Sequence, residues 1–189
     1  YNEGVKDKGY CELYTRWLEM GTFLPMFRSH GTDTPREIWN FGDKGTMFYD
    51  AIEKSIKLRY HLMPYIYSLA GAVHFNDYTI MRSLLFDFPQ DKTARKIENE
   101  FMFGPSLLIC AVTEPMYYGP ESTELDREKT WECYLPQGAD WYDYWTSKKY
   151  EGGQYVTVDA PIDQMPIFVK AGSCRSRLFW RYPQYISIS

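Results

Sequence analysis

The sequence predicts an α/β segment followed by an all-β segment, and three observations carry that expectation. Residues 10–21 and 47–70 place apolar side chains at three- and four-residue steps, the period of a helix. A short apolar run, residues 23–27, lies between them. From residue 79 onward the pattern changes to strand-sized runs divided by Gly, Pro, Asp and Asn, which reads as antiparallel β-structure, a sandwich. A chain of 189 residues that is 44% hydrophobic can bury a core and hold one domain plus part of another.

Taken in order, YCELYTRWLEMG sets Tyr10, Leu13, Tyr14, Trp17, Leu18 and Gly21 on one helical face, with Gly21 as a stop. FLPMF, residues 23–27, is of strand length. In GTDTPREIW, Thr34 can cap a short helix and Pro35 suits its first position. Residues 47–70 carry Ile52, Ile56, Tyr60, Met63, Ile66, Tyr67 and Ala70 on one side. Pro64 removes a backbone donor there and predicts a kink. GAVHFNDYT, residues 71–79, interrupts the pattern. The predicted segments are therefore 1–78 and 79–173. Residues 174–189 form an atypical tail with Arg175, Arg177 and Arg181 and no period, either a basic disordered end or the product of a cut or shifted frame.

The net charge of −4 argues against nucleic acid, which calls for a basic stripe. No stretch of eighteen apolar residues is present to span a membrane, and the first residues, YNEGVKDKGY, do not read as a signal peptide. Cys11, Cys110, Cys133 and Cys174 form no CxxC pair, and His30, His61 and His74 are far apart. That spacing predicts no metal centre, and thiols acting as small hydrophobes in a reducing, cytoplasmic setting. The chain has 17 Tyr and 6 Trp. So many aromatics serve core packing first, and stacking on sugars second.

The ordered segments ELYTRWLEMGTFLPMFRSHG, IKLRYHLMPYIYSLA, IMRSLLFDFPQD, FMFGPSLLICAV, YLPQGADWYDYWT, YEGG and AP-x-D-x-x-PIFVKAGS resemble glycoside hydrolase family 31, the α-glucosidase and α-xylosidase family, over residues 10–173. The resemblance implies the C-terminal portion of a (β/α)8 barrel followed by an antiparallel β-sandwich. FLPMFRSH is similar to the eighth barrel strand and residues 47–70 to the helix after it. The function implied is that of a retaining exo-acting α-glycosidase acting on terminal α-linked glucose or xylose. Its partner is an oligosaccharide or glycoside substrate, with no cofactor; no oligomeric state is implied. SHGTDTPREIW is more similar to bacterial α-xylosidase-like members than to animal glucosidases.

A retaining mechanism needs two carboxyl groups about 5–5.5 Å apart. In the family both precede the helix that residues 10–21 resemble, so this chain is read as a fragment carrying neither. His30 matches the family histidine that bonds sugar hydroxyls, and a neutral imidazole, which donates and accepts, suits a vicinal diol. Arg28 is read as holding a neighbouring carboxylate near that site. Asp33, Arg36 and Trp39 are candidates for the pocket rim. Asp87, Asp91, Asp140, Asp143, Asp159 and Asp163 sit in turns or strands and are read as structural. The competing reading is a non-catalytic carbohydrate-binding or structural β-sandwich module. The binding-module form of it requires exposed aromatics such as Trp141 and Trp145 on one sheet face.

Overall fold

The computed structural model describes residues 3–31 and 33–173. The predicted tail, residues 174–189, lies outside the described residues.

Helix α1 (Lys8–Gly21) starts at Asp7, whose carboxylate accepts from Gly9 N at 2.8 Å. The same carboxylate accepts from Glu121 N at 3.1 Å and Ser122 N at 3.0 Å, so one side chain caps the helix and anchors a distant loop. Burial pushes its pKa up, but these backbone donors outweigh that and hold it below the usual value. The predicted apolar stripe of α1 is not its buried face. Cys11, Glu12, Thr15, Arg16, Leu18 and Glu19 are buried, while Leu13 and Trp17 are 41% and 62% exposed.

The predicted strand at residues 23–27 does not form. Residues 22–26 turn instead, and 27–31 have no regular structure. A strand needs a neighbour for its ladder, and Pro25 has no N–H to offer. Carbonyls in this segment are taken up by a side chain: Arg59 donates to Thr22 O at 2.7 Å, Leu24 O at 2.6 Å and Pro25 O at 3.2 Å. The short helix predicted at Thr34 and Pro35 is a 3-10 turn, Ile38–Phe41, that begins later. Arg36 is held against α1 instead, with its Nε donating to Tyr10 Oη and its carbonyl accepting from Tyr14 Oη.

The long helix predicted at 47–70 is two helices, α2 (Met47–His61) and α3 (Met63–Asn76), separated at Leu62 just before Pro64. The proline breaks the helix where a kink was expected. α3 runs on through residues 71–76, read from sequence as an interruption, and stops at Asp77 with left-handed φ of 52°. Ala70, Ala72 and Val73 give the helix no reason to stop earlier, and Gly71 alone costs it only about 1 kcal/mol.

The β segment contains β1 (Met81–Ser83), β2 (Glu100–Phe103), β3 (Leu107–Cys110), β4 (Thr130–Leu135), β5 (Asp140–Asp143), β6 (Lys149–Glu151), β7 (Gln154–Asp159) and β8 (Ile167–Lys170). The stretch LLFD, expected as strand, is a single helical turn, α4 (Leu84–Asp87). Asp87 folds back there to take both carboxylate bonds from Arg82 Nε, at 3.1 and 3.0 Å. Six strands form one sheet in the order β1-β2-β3-β8-β5-β6, and β4 pairs with β7 in a second; every pairing is antiparallel.

The larger sheet is the middle layer. On one face Met102, Leu108, Cys110, Trp141 and Phe168 share a buried cluster with Cys133, Leu135, Val156 and Val158 of the β4–β7 sheet. On the other, Phe101, Phe103, Leu107, Ile109 and Ile167 pack on Phe23, Leu58, Leu62 and Leu69 of the helical segment. Alternate residues of one strand thus serve opposite faces, so FMF and LLIC are apolar without interruption.

Asp91 shows what the turn carboxylates do. It accepts from Tyr134 Oη and Gln137 N, each at 2.8 Å, and from Thr93 N at 2.9 Å and Ala94 N at 3.1 Å. Asp143 accepts from Trp145 N and Thr146 N. Trp141 is fully buried and Trp145 donates its indole N–H to Met165 O. The exposed aromatic row required of a binding module is not formed by this pair.

Candidate functional site

α1 and the irregular segment 24–36 enclose an open cleft of about 490 Å³. Tyr10, Leu13, Tyr14 and Trp17 form its helical wall, and Met26, Phe27, Arg28, Ser29, His30 and Arg36 the other. The outward stripe of α1 is therefore the wall of this cleft. Ser29 Oγ is in hydrogen-bond contact with Tyr14 Oη at 2.8 Å and ties the two walls together.

His30 is exposed at the edge of the cleft, and its Nδ1 lies 2.9 Å from Arg28 Nη2. A guanidinium only donates, so Nδ1 is the acceptor and the neutral ring carries its proton on Nε2. Nε2–H is then the donor available to a ligand. Arg36 Nη1 donates to the His30 carbonyl and fixes the backbone beneath the ring. The structure thus unites His30, Arg28 and Arg36. Arg28 bonds the imidazole, and no carboxylate lies within ion-pairing range of it among the described residues. Asp33 and Trp39 are both exposed and lie outside the cleft lining; Trp39 is 69% exposed.

Behind the cleft, the polar side of α1 is locked into the β segment. Glu12 accepts from Met116 N at 2.7 Å, Tyr117 N at 2.9 Å and Tyr118 N at 2.7 Å. Arg16 donates to Pro161 O and Ala160 O, each at 2.9 Å, and to Glu19 at 3.0 Å. Sequence reading passed over these three because charged residues are usually solvated; their spacing of four and three, which puts them on one helical face, was the available signal. A second cavity of about 250 Å³ opens between this helix and residues 111–115.

Burial raises Glu19's pKa to about 8 against the opposing pull of Arg16, and its Oε1 has no hydrogen-bond partner. A carboxyl with a raised folded pKa binds its proton more tightly when folded. Its stabilising contribution is complete below about 4.5 and is lost as pH rises through about 8. Urea unfolding across that window should show wild type losing stability relative to Glu19→Gln; parallel profiles would contradict the assignment.

The cleft offers an imidazole donor, a hydroxyl and aromatic walls, a set suited to a polyol. None of its lining residues carries a carboxylate. Without a carboxylate in its lining it cannot by itself supply the acid and nucleophile of glycoside cleavage.

Residues 77–174 match the glycosyl hydrolase family 31 C-terminal domain, and residues 4–69 match the glycosyl hydrolases family 31 TIM-barrel domain. The chain belongs to glycosyl hydrolase family 31. It is 42% identical over 173 residues to the alpha-xylosidase of Saccharolobus solfataricus, covering 92% of this chain and 22% of that protein. To alpha-glucosidase 2 of Bacillus thermoamyloliquefaciens it is 37% identical over 164 residues, covering 86% of this chain and 19% of that protein. The crystal structure of the family-31 alpha-xylosidase from Xanthomonas citri superposes with a TM-score of 0.77 at 43% identity, over 87% of this chain and 17% of that one. This family-31 chain therefore spans about a fifth of the length of the curated relatives it matches.

Proposed function

We propose that this chain is the C-terminal part of a retaining, exo-acting α-glycosidase that hydrolyses terminal α-linked glucose or xylose. On this reading residues 1–78 are the last part of a (β/α)8 barrel, and residues 79–173 are a β-sandwich that seals its side. Both catalytic carboxylates belong to a preceding part of the protein. His30 bonds hydroxyls of the sugar through Nε2, Arg28 sets its tautomer, and Asp33, Arg36 and Trp39 border the entrance.

The observation that carries the reading is the cleft itself, in a chain whose family acts on glycosides: His30 sits at its mouth, oriented by Arg28, and no carboxylate lines it. The surface adds support. Tyr67 and Phe75 of α3 are 81% and 80% exposed, on the same helix as exposed Met63 and Val73. An apolar helix bared in this way is expected where more of a barrel covers it. Relatives support the substrate class: a family-31 alpha-xylosidase from a soil metagenome was solved with xylose, and the Flavobacterium johnsoniae dextranase with isomaltotriose. No helix among the described residues is long and apolar enough to cross a membrane. The proposed reducing, cytoplasmic setting rests on the free thiols of Cys11, Cys110 and Cys133.

The test is the stereochemistry of the full-length protein carrying this chain. Proton NMR of the first-formed sugar should show the α-anomer. A β-configured initial product would refute retention.

A further inference from the structure

Three strands bring together side chains that are well separated in sequence. Glu100 on β2 and Cys110 on β3 are direct partners in the antiparallel register, and Cys133 reaches toward them from β4 in the other sheet. One carboxylate oxygen and the two sulfurs all lie within 4.8 Å of one another. Glu100 is 5% exposed, and both cysteines are fully buried. Glu100 Oε1 is fixed by Tyr134 N, which donates to it at 2.7 Å, while Oε2 is buried with no hydrogen-bond partner. The nearest donor to it is the weak Cys110 thiol, and a core that needed only packing would not place a carboxyl beside two thiols.

We propose that Glu100, Cys110 and Cys133 form a binding site for one thiophilic divalent cation of the Zn²⁺ type, joining the two sheets through the core. Sulfur ligands sit about 2.3 Å from Zn²⁺ and carboxylate oxygens about 2.0–2.2 Å, which puts neighbouring ligand atoms roughly 3.5–4 Å apart. From the present spread of up to 4.8 Å, a contraction of up to about 1.3 Å meets that geometry. On binding, each thiol and the Glu100 carboxyl release their protons to solvent, and two thiolates and one carboxylate then hold the 2+ ion with one net negative charge. A set of two sulfurs and one oxygen selects Zn²⁺ or Cd²⁺ over Mg²⁺ and Ca²⁺, which require oxygen. The site is closed to solvent, so the ion enters as the chain folds. Cys11 belongs to a different cluster and takes no part.

The full chain, refolded with reductant and Zn²⁺ and then desalted, should retain one Zn²⁺ per chain and unfold at a higher temperature than the chain refolded without metal. Cd²⁺ should add sulfur-to-metal absorption in the ultraviolet. Cys133→Val, close in volume to the cysteine it replaces, should lose the bound metal and the added stability. Glu100→Gln should weaken binding about 10-fold or more. Cys11→Ser should retain the metal. Sub-stoichiometric Zn²⁺ in wild type would overturn the proposal. So would equal retention by folded Cys133→Val, an equal gain in stability from Ca²⁺, or loss of the Cys110 and Cys133 thiols as a disulfide with no metal bound.

Discussion

The 189-residue chain alone will not hydrolyse an aryl α-glucoside or α-xyloside. Cleavage with retention requires one carboxylate to attack the anomeric carbon and a second carboxylic acid, about 5–5.5 Å away, to protonate the leaving oxygen. The cleft beside His30 has no carboxylate in its lining. Several carboxylates elsewhere are committed: Asp87 to Arg82, Asp91 to the turn at 93–94 and to Tyr134, Glu12 to the 116–118 backbone, and Asp163 to Lys54 at 2.6 Å. Without both groups the barrier falls little below that in water. Release of the aryl alcohol by purified chain should match a buffer blank, once host glycosidases are excluded. Turnover that co-purifies with the chain would refute this.

In the full-length protein, His30→Ala should lower kcat/KM by about 10²-fold or more, equivalent to about 2.7 kcal/mol of lost transition-state stabilisation. Arg28 holds the imidazole at 2.9 Å with Nε2–H left for a ligand, so on the proposed reading it would meet a sugar hydroxyl without reorganising. Preorganised donors of this kind are worth most when the site is closed to water. His30 is exposed and outside every buried cluster, so its removal should leave the unfolding midpoint nearly unchanged. Arg28→Ala should reduce activity less, because it acts by fixing the tautomer. Trp39→Ala, outside the cleft lining, should matter less still. Near-normal kinetics for His30→Ala would make the residue structural.

Much of this fold could be read from the sequence because its signals are local. α1 and α2 announce themselves by period, Pro64 by the break it imposes, and the strand-sized runs by their Gly, Pro and Asp punctuation. What could not be read depends on distant neighbours. FLPMF has the composition of a strand, yet a strand exists only with a partner, and Arg59 takes its carbonyls instead. LLFD turns because Asp87 finds Arg82. Which way the apolar stripe of α1 faces could not be read either: Glu12 and Arg16 find backbone partners about a hundred residues or more away and turn that stripe toward the cleft. In the candidate site, His30 and Arg28 were singled out chiefly by the family resemblance, beside the apolar run they close, and Arg36 as a rim candidate in the loop that follows. Trp17 and Tyr14 were not, since an aromatic at helical spacing looks the same facing a core or a ligand. Cys110 and Cys133 had no motif to link them, and only the packing of two sheets sets them beside Glu100.

The central claim is that His30 of this chain touches the sugar bound by a family-31 glycosidase. The most direct measurement is a crystal structure of the full-length protein soaked with xylose or glucose. His30 Nε2 should lie within about 2.7–3.2 Å of a hydroxyl of the sugar at the catalytic centre, with Arg28 still bonded to Nδ1. A sugar bound between two carboxylates with His30 out of hydrogen-bond reach would contradict the account.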